Sequence, residues 1–207
     1  MAARSELPPQ ERIAGLYEDN AAAWDEMRGS LAVLEKPWLD RFAALLPARG
    51  SVLDIGCGSG RPIAADLIGR GFRLTGVDSS PSLIALCRAR FPEQEWLVSD
   101  MRALDLGRRF DGLIAWHSSF HLTQREQRAL FPRLSAHSAP GALLMFTSGD
   151  DEGVRIGEWQ GEPLYHSSLS PGEYRALLKA GGFEIVDHRP RDPECGEATV
   201  WIARRTG

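Results

Sequence analysis

Short apolar runs alternate with segments of helical periodicity along most of the chain. The runs are Ser51–Ile55, Arg73–Val77, Glu95–Val98, Gly112–Trp116 and Ala142–Phe146. Each is nearly continuous in apolar residues, as in strands covered on both faces, so they predict a parallel sheet with helices on either side. Ahead of them, Ile13, Leu16, Tyr17 and Trp24 follow helical spacing within residues 11–28. Trp38, Leu39, Phe42, Leu45 and Leu46 do so within residues 35–46, and two helices are expected there. The chain ends on two alternating runs, Phe183–Asp187 and Ala198–Ile202, separated by a polar, proline-containing stretch. They predict an antiparallel pair closing the sheet.

Helix boundaries are marked by side-chain chemistry. Pro62, Pro81 and Pro171 suit first helical positions, where a missing N–H costs nothing. Thr123 with Glu126 and Ser170 with Glu173 have the spacing of capping boxes. Gly71 and Gly181-Gly182 suit helix stops. Pro132 falls inside the helical segment 124–138 and is expected to kink it.

Composition narrows the class. The 207 residues suit one α/β domain, and 43% hydrophobic with 25% charged residues suits a packed core. A formal net charge of −4 argues against a nucleic-acid binder. Cys57, Cys87 and Cys195 are odd in number and far apart, so neither a disulfide framework nor a zinc site is expected. No other cluster has metal-ligand spacing. The N-terminus lacks an apolar signal core and no stretch is long enough to span a membrane, so a reducing cytoplasm is expected.

Three motifs follow the first three strands. Val52–Gly60 runs from an apolar strand into Gly56, Gly58 and Gly60. Such glycines let the backbone turn sharply and let a nucleotide-like ligand approach without Cβ atoms in its way. An ordinary tight turn would read the same. Asp78, with Ser79 beside it, ends the second strand 18 positions after Gly60, near the spacing of a ribose-binding carboxylate. A helix-cap aspartate is the alternative. Asp100-Met101 follows the third strand. There Asp100 could accept from a base amine while Met101 packs on the ring, or it could be a loop aspartate. Together the motifs fall in the order of one cofactor cleft.

Residues 51–147 closely resemble the class I, Rossmann-like S-adenosylmethionine (SAM)-dependent methyltransferases, in the group acting on small molecules. Leu53–Gly60, Asp78, Asp100-Met101, Phe110–His117 and Pro140-Gly141 carry the resemblance, with Gly181–Ile185 near the end of the chain. It implies a doubly wound, seven-stranded, mostly parallel sheet whose last strand inserts antiparallel. It implies a single domain with a helical cap (1–48), a SAM-binding core (49–150), a substrate lid (151–170) and C-terminal helix and strands (171–207). By resemblance, Gly56, Gly58 and Gly60 line the methionine and ribose portion of SAM. Asp54 orients the loop or receives the ammonium. Asp78 holds the ribose, Asp100 and Met101 the adenine, and Trp116 approaches the sulfonium. Tyr17 and Trp24 could reach the cofactor from above, or be core residues of an amphipathic helix.

The strand-four ending Ala-Trp-His-Ser-Ser-Phe-His departs from the Asn/Asp-Pro-Pro-Tyr of enzymes that methylate amino groups of adenine or glutamine. The acceptor is therefore expected to be a small metabolite methylated at O, N or S. His121 is the first candidate for a general base, with His117 second, because imidazole titrates near neutral pH; capping or packing the following helix is the alternative for either. Residues 152–169 read as a glycine-containing substrate loop presenting Trp159, Tyr165 and His166, or as a structural flap whose aromatics cover the sheet edge. A non-catalytic SAM sensor is the alternative function. A nicotinamide enzyme fits less well, because its third glycine would fall at Arg61.

Overall fold

The computed structural model describes residues 7–30 and 32–207. Three helices come first: α1 (Pro9–Asp19), α2 (Ala21–Ser30) and α3 (Ala32–Leu45). The doubly wound core then runs β1 (Ser51–Ile55), α4 (Ile63–Gly69), β2 (Arg73–Asp78), α5 (Pro81–Arg90), β3 (Glu95–Val98), β4 (Phe110–Ala115), α6 (Gln124–Ala136) and β5 (Ser138–Ser148). A hairpin, β6 (Gly153–Trp159) and β7 (Glu162–Ser168), precedes α7 (Pro171–Ala180), β8 (Phe183–Asp192) and β9 (Ala198–Arg205).

The seven-stranded sheet has the order β3-β2-β1-β4-β5-β9-β8. β9 pairs antiparallel with both β5 and β8, and the remaining pairings are parallel. The fold is therefore the mixed, doubly wound sheet expected from the sequence. Strand alternation divides the core in two. Val52, Ile114, Leu143 and Ile202 face one layer with Phe42, Leu67 and Ile84 of α3, α4 and α5. Leu53, Leu113, Leu144 and Trp201 face the other with Leu130, Leu134 and Leu178 of α6 and α7. Both faces are covered, and the strands read as continuous apolar runs for that reason.

Several local readings change. The first helical segment is two helices that break at Asn20. α4 begins at Ile63, one residue after Pro62, whereas Pro81 and Pro171 open α5 and α7. Thr123 and Glu126 form a full capping box. Ser170 accepts from the Glu173 N–H, but the Glu173 carboxylate pairs with Arg128 instead of returning to the cap. Residues 153–168 are not an irregular loop but the β6–β7 hairpin. Most of β6 is solvent-exposed, its alternating Val154 and Ile156 included, so the alternation is short and faces no core.

Candidate active site

The chain turns sharply where β1 ends. Gly56 and Gly58 take φ of 75° and 54°, the left-handed region that glycine adopts without steric cost. Asp78, at the end of β2, fixes this turn: its carboxylate accepts from the Gly58 N–H and the Ser80 N–H, each at 2.9 Å. A side chain would not fit the turn. A Cβ on Gly56 would lie 2.4 Å from the Ser118 Cβ, and one on Gly58 3.0 Å from the Trp24 indole nitrogen. Trp24 on α2 thus roofs the glycine turn.

Beneath this roof lies a cleft of about 820 Å³. Gly56, Gly58, Asp78, Ser79, Asp100 and Met101 line it, as expected, together with Tyr17, Trp24, His117 and His121. Its floor is acidic. Burial raises the Asp78 pKa, and the N–H donors of Ser80 and Gly58 oppose that. Asp54 lies behind the turn, 2% exposed, and its Oδ2 has no hydrogen-bond partner. Burial first and the charge of Asp78 second push its pKa up to about 7. Asp100 is different. Burial would raise it, but the Arg102 guanidinium grips both its oxygens and holds it below the usual range.

The far wall of the cleft is an aromatic hydrogen-bond chain. The Tyr165 carbonyl can only accept, so the Nδ1–H of His121 donates to it at 2.8 Å. That leaves the His121 Nε2 as an acceptor, and the Tyr17 hydroxyl donates to it at 2.8 Å. Burial pulls the His121 pKa down to about 4 and raises that of Tyr17. His117, at the turn after β4 with φ of 48°, is pulled down to about 3 by burial and the charge of Arg28.

A second hollow, about 800 Å³, lies on the other side of this wall. Tyr17, Trp24, His117 and His121 line both spaces. Arg28, Glu35, Phe120, Leu164 and His166 line only the second of the two. The Arg28 guanidinium pairs with Glu35 Oε1, which also accepts from the Trp116 indole N–H at 3.1 Å.

Some candidates lie elsewhere. Trp116 continues the alternation of β4, so its side chain falls with Ile114 in the α3-side core and lines neither space. A Cβ on Gly60 would meet Cys87 and Phe91, away from the cleft. Tyr165 is buried and contributes its carbonyl. Trp159 stacks on Tyr17, with ring centres 5.4 Å apart, and props the wall from behind. Arg28, Glu35 and Ser118 were missed: Arg28 and Glu35, seven residues apart, meet only where α2 and α3 pack together, and Ser118 meets the Ile55 carbonyl from another strand. Asp25, which ties α2 to Arg61 and Arg90, was missed as well.

Comparisons with known proteins bear on the family and the fold. A family model described as "Methyltransferase domain" matches residues 24–188. The chain is 31% identical over 160 residues to the dTDP-3-amino-3,6-dideoxy-alpha-D-glucopyranose N,N-dimethyltransferase of Streptomyces fradiae, covering 74% of this chain and 55% of that protein. It is 32% identical over 96 residues to the trans-aconitate 2-methyltransferase of Azoarcus sp. (strain BH72), covering 45% of this chain and 37% of that protein. The alignments thus span about half the length of the first of these relatives and less of the second. Among solved structures, the fold resembles a Burkholderia thailandensis 1,6-didemethyltoxoflavin-N1-methyltransferase with bound 1,6-didemethyltoxoflavin and S-adenosylhomocysteine. That match has a TM-score of 0.73 and 24% identity, over 97% of this chain and 92% of that one.

Proposed function

The chain belongs to the methyltransferase-domain family, and from that premise we propose that it methylates a small molecule with SAM as donor, the first cleft holding the cofactor and the second hollow the acceptor. One observation carries this reading: the two spaces share a single wall, made of Tyr17, Trp24, His117 and His121. A methyl group crossing that wall travels between two adjoining sites, as in-line transfer requires.

The first cleft suits SAM in shape and charge. The side-chain-free turn at Gly56 and Gly58 admits a ligand close to the backbone. Asp78 keeps acceptor capacity for the ribose beyond the backbone N–H groups of Gly58, Ser79 and Ser80 that it faces. The orphaned Asp54 Oδ2 and the Asp78 carboxylate make a field that favours a cation, and SAM carries a sulfonium and an ammonium. Met101 and Asp100 stand where the adenine would lie. Bound there, SAM supplies a methyl group that a nucleophile takes as the carbon–sulfur bond breaks, its electron pair going to sulfur.

The wall residues then divide the remaining work. His121 is a poor proton acceptor, because its Nε2 lone pair is occupied and its pKa is near 4. It serves as a positioning residue that takes the Tyr17 proton in a hydrogen bond. The Tyr17 oxygen keeps its other lone pair for an acceptor N–H or O–H. The acceptor itself supplies the nucleophilic lone pair, and any proton it sheds leaves after transfer.

The division into cap, core, lid and C-terminal segment is part of the same proposal, with the β6–β7 hairpin in the lid's place. Among the described residues no helix is long and apolar enough to cross a membrane. The three cysteines are buried and free, which supports a reducing, cytoplasmic setting. The net charge of −4 supports a partner other than nucleic acid.

Calorimetry with S-adenosylhomocysteine and with NAD, followed by a metabolite screen for S-adenosylhomocysteine release, tests the function. Binding of the first cofactor with turnover of a small molecule is expected. Binding without turnover of any compound in a broad panel would point to a sensor, and NAD binding alone would remove the proposal.

A further inference from the structure

The second hollow has a wall whose charges cancel. Its charged residues among those described are Arg28 and Glu35, and these pair with each other. Its three imidazoles, those of His117, His121 and His166, are neutral at physiological pH, because burial pulls each below the ordinary value of 6.5. The Cys195 thiol, pushed up to about 11 by burial and by the charge of Asp192, stays protonated. A carboxylate or an ammonium entering this space would lose water and meet only charges that are already paired with each other.

The same wall is rich in rings. Tyr17, Trp24, Phe120, His117, His121 and His166 all face the hollow. Phe120 sits against His166 and His121 with ring centres 5.1 Å and 4.8 Å apart. A flat molecule can lie against such surfaces edge-on or offset. One polar group in the wall has unused capacity. Glu35 is 2% exposed, its Oε1 serves Arg28 and Trp116, and its Oε2 has no hydrogen-bond partner. A buried carboxylate oxygen in that state calls for an N–H or O–H donor.

We propose, on the reading of this hollow as the acceptor site, that it takes an uncharged aromatic-ring molecule whose N–H or O–H donates to Glu35. The ring lining sets the shape, the cancelled Arg28–Glu35 pair excludes net charge, and Glu35 fixes the orientation. Glu35 is then a specificity-determining residue, and the charge preference depends on its being paired with Arg28. Removing the negative partner alone leaves Arg28 uncompensated and should turn the hollow toward anions.

The test uses the full chain saturated with S-adenosylhomocysteine, near neutral pH, with matched ligands. Indole and quinolin-4-ol are each compared with a carboxylate-bearing and an aminomethyl-bearing analogue by calorimetry. The neutral ring of at least one scaffold should bind about tenfold or more tightly than both charged analogues. Glu35→Gln should shift the ratio of carboxylate to neutral affinity by about tenfold toward the carboxylate. A double exchange, Arg28→Met with Glu35→Leu, should keep the neutral preference, which separates charge balance from a failure to fold. Charged analogues binding as well as the neutral ring would overturn the proposal, as would no ring binding at all. An unchanged ratio in Glu35→Gln would overturn the role of Glu35. If S-adenosylhomocysteine itself fails to bind, the cofactor reading falls and this proposal with it; if it binds and the rings do not, the acceptor class alone is wrong.

Discussion

The hydroxyl of Tyr17 donates to Nε2 of His121 across 2.8 Å, and this bond joins the cap helix α1 to the loop after β4 at the wall between two hollows. The Tyr165 carbonyl fixes the tautomer from the other side. The imidazole is therefore neutral, oriented and already engaged before any ligand arrives.

At saturating cofactor, kcat should accordingly show no inflection near the ordinary histidine pKa. His121 has its pKa pulled down to about 4 by burial, so it stays neutral as pH rises from about 6 to 8. Tyr17→Phe and His121→Phe should each lower kcat by about tenfold, the worth of one well-placed hydrogen bond. The double variant should be little worse than either, because the two act as one unit. A drop of about 10²–10⁴-fold in His121→Ala, with an inflection near neutral pH, would instead make His121 the general base.

Asp78 fixes the glycine turn through two backbone N–H groups and faces the cleft. Asp78→Asn should weaken S-adenosylhomocysteine binding by about tenfold or more, since a hydrogen bond to a charged group is worth about 1.5–3 kcal/mol. Equilibrium dialysis giving an affinity within about twofold of the parent, alongside a lowered melting temperature, would make Asp78 structural only.

Cofactor binding should also release protons near neutral pH. In the free protein Asp54 has a pKa raised to about 7, by burial first and then by Asp78. A bound cation favours its ionised form, so below pH 7 ionisation must accompany binding and weakens it. Affinity should thus rise with pH through about 7, with a slope near tenfold per unit on the acid side. Titrations in buffers of different ionisation enthalpy measure the release, and Asp54→Asn should abolish that part of it. An equal release from Asp54→Asn would place the titrating group elsewhere.

The sheet was legible because its strands are buried on both faces. Ser51–Ile55 and Glu95–Val98 match the structure residue for residue. Asp78 and Asp100 could be placed on one cleft from strand ends and spacing alone. What could not be read depends on the other periodicity or on distant partners. Trp116 was expected at the cleft, but two-residue alternation along β4 carries its ring to the core face. β6 of the hairpin carries only a short alternation, Val154 and Ile156 about Arg155, and both apolar side chains lie in solvent, so it does not read as a strand facing a core. The Asp25 cluster joins residues whose proximity only the docked cap creates, and the Arg28–Glu35 pair depends on how α2 packs against α3 within it.

Asp25 is the latch of that cap. It reaches from α2 to Arg61 beside the glycine turn and to Arg90 on α5. Burial would raise its pKa, but Arg90, Ser59 and Arg61 hold it well below the ordinary 3.8. A depressed carboxylate stabilises above its unfolded pKa, and that share is lost as pH falls below it. Asp25→Asn should free α2 to move and weaken cofactor binding several-fold. The parent's affinity should also fall with added salt more than the variant's. Identical affinities at low and high salt for both proteins would leave Asp25 without a role in closing the cleft.

Trp159 offers a test of what the hairpin does. It was expected to touch the acceptor, yet it lines neither of the two hollows. It stacks on Tyr17 at 5.4 Å and meets Trp24 edge-on at 5.6 Å. These are the residues that roof the glycine turn and form the wall. An aromatic contact of this kind is worth about 0.5–1.5 kcal/mol beyond its buried area. Trp159→Ala should therefore loosen the roof and the wall together. Cofactor affinity and kcat should both fall, while the ranking of acceptors moves less than in a variant that removes a residue lining the second hollow, because Trp159 itself lines neither space. His166→Ala should do the reverse. Its ring lines the second hollow and not the first, so acceptor ranking should change while S-adenosylhomocysteine affinity holds. Measuring both quantities for both variants separates prop from contact. A Trp159→Ala protein with parental cofactor affinity and a reordered acceptor ranking would return Trp159 to the acceptor site and make the hairpin a lid that moves when the acceptor binds.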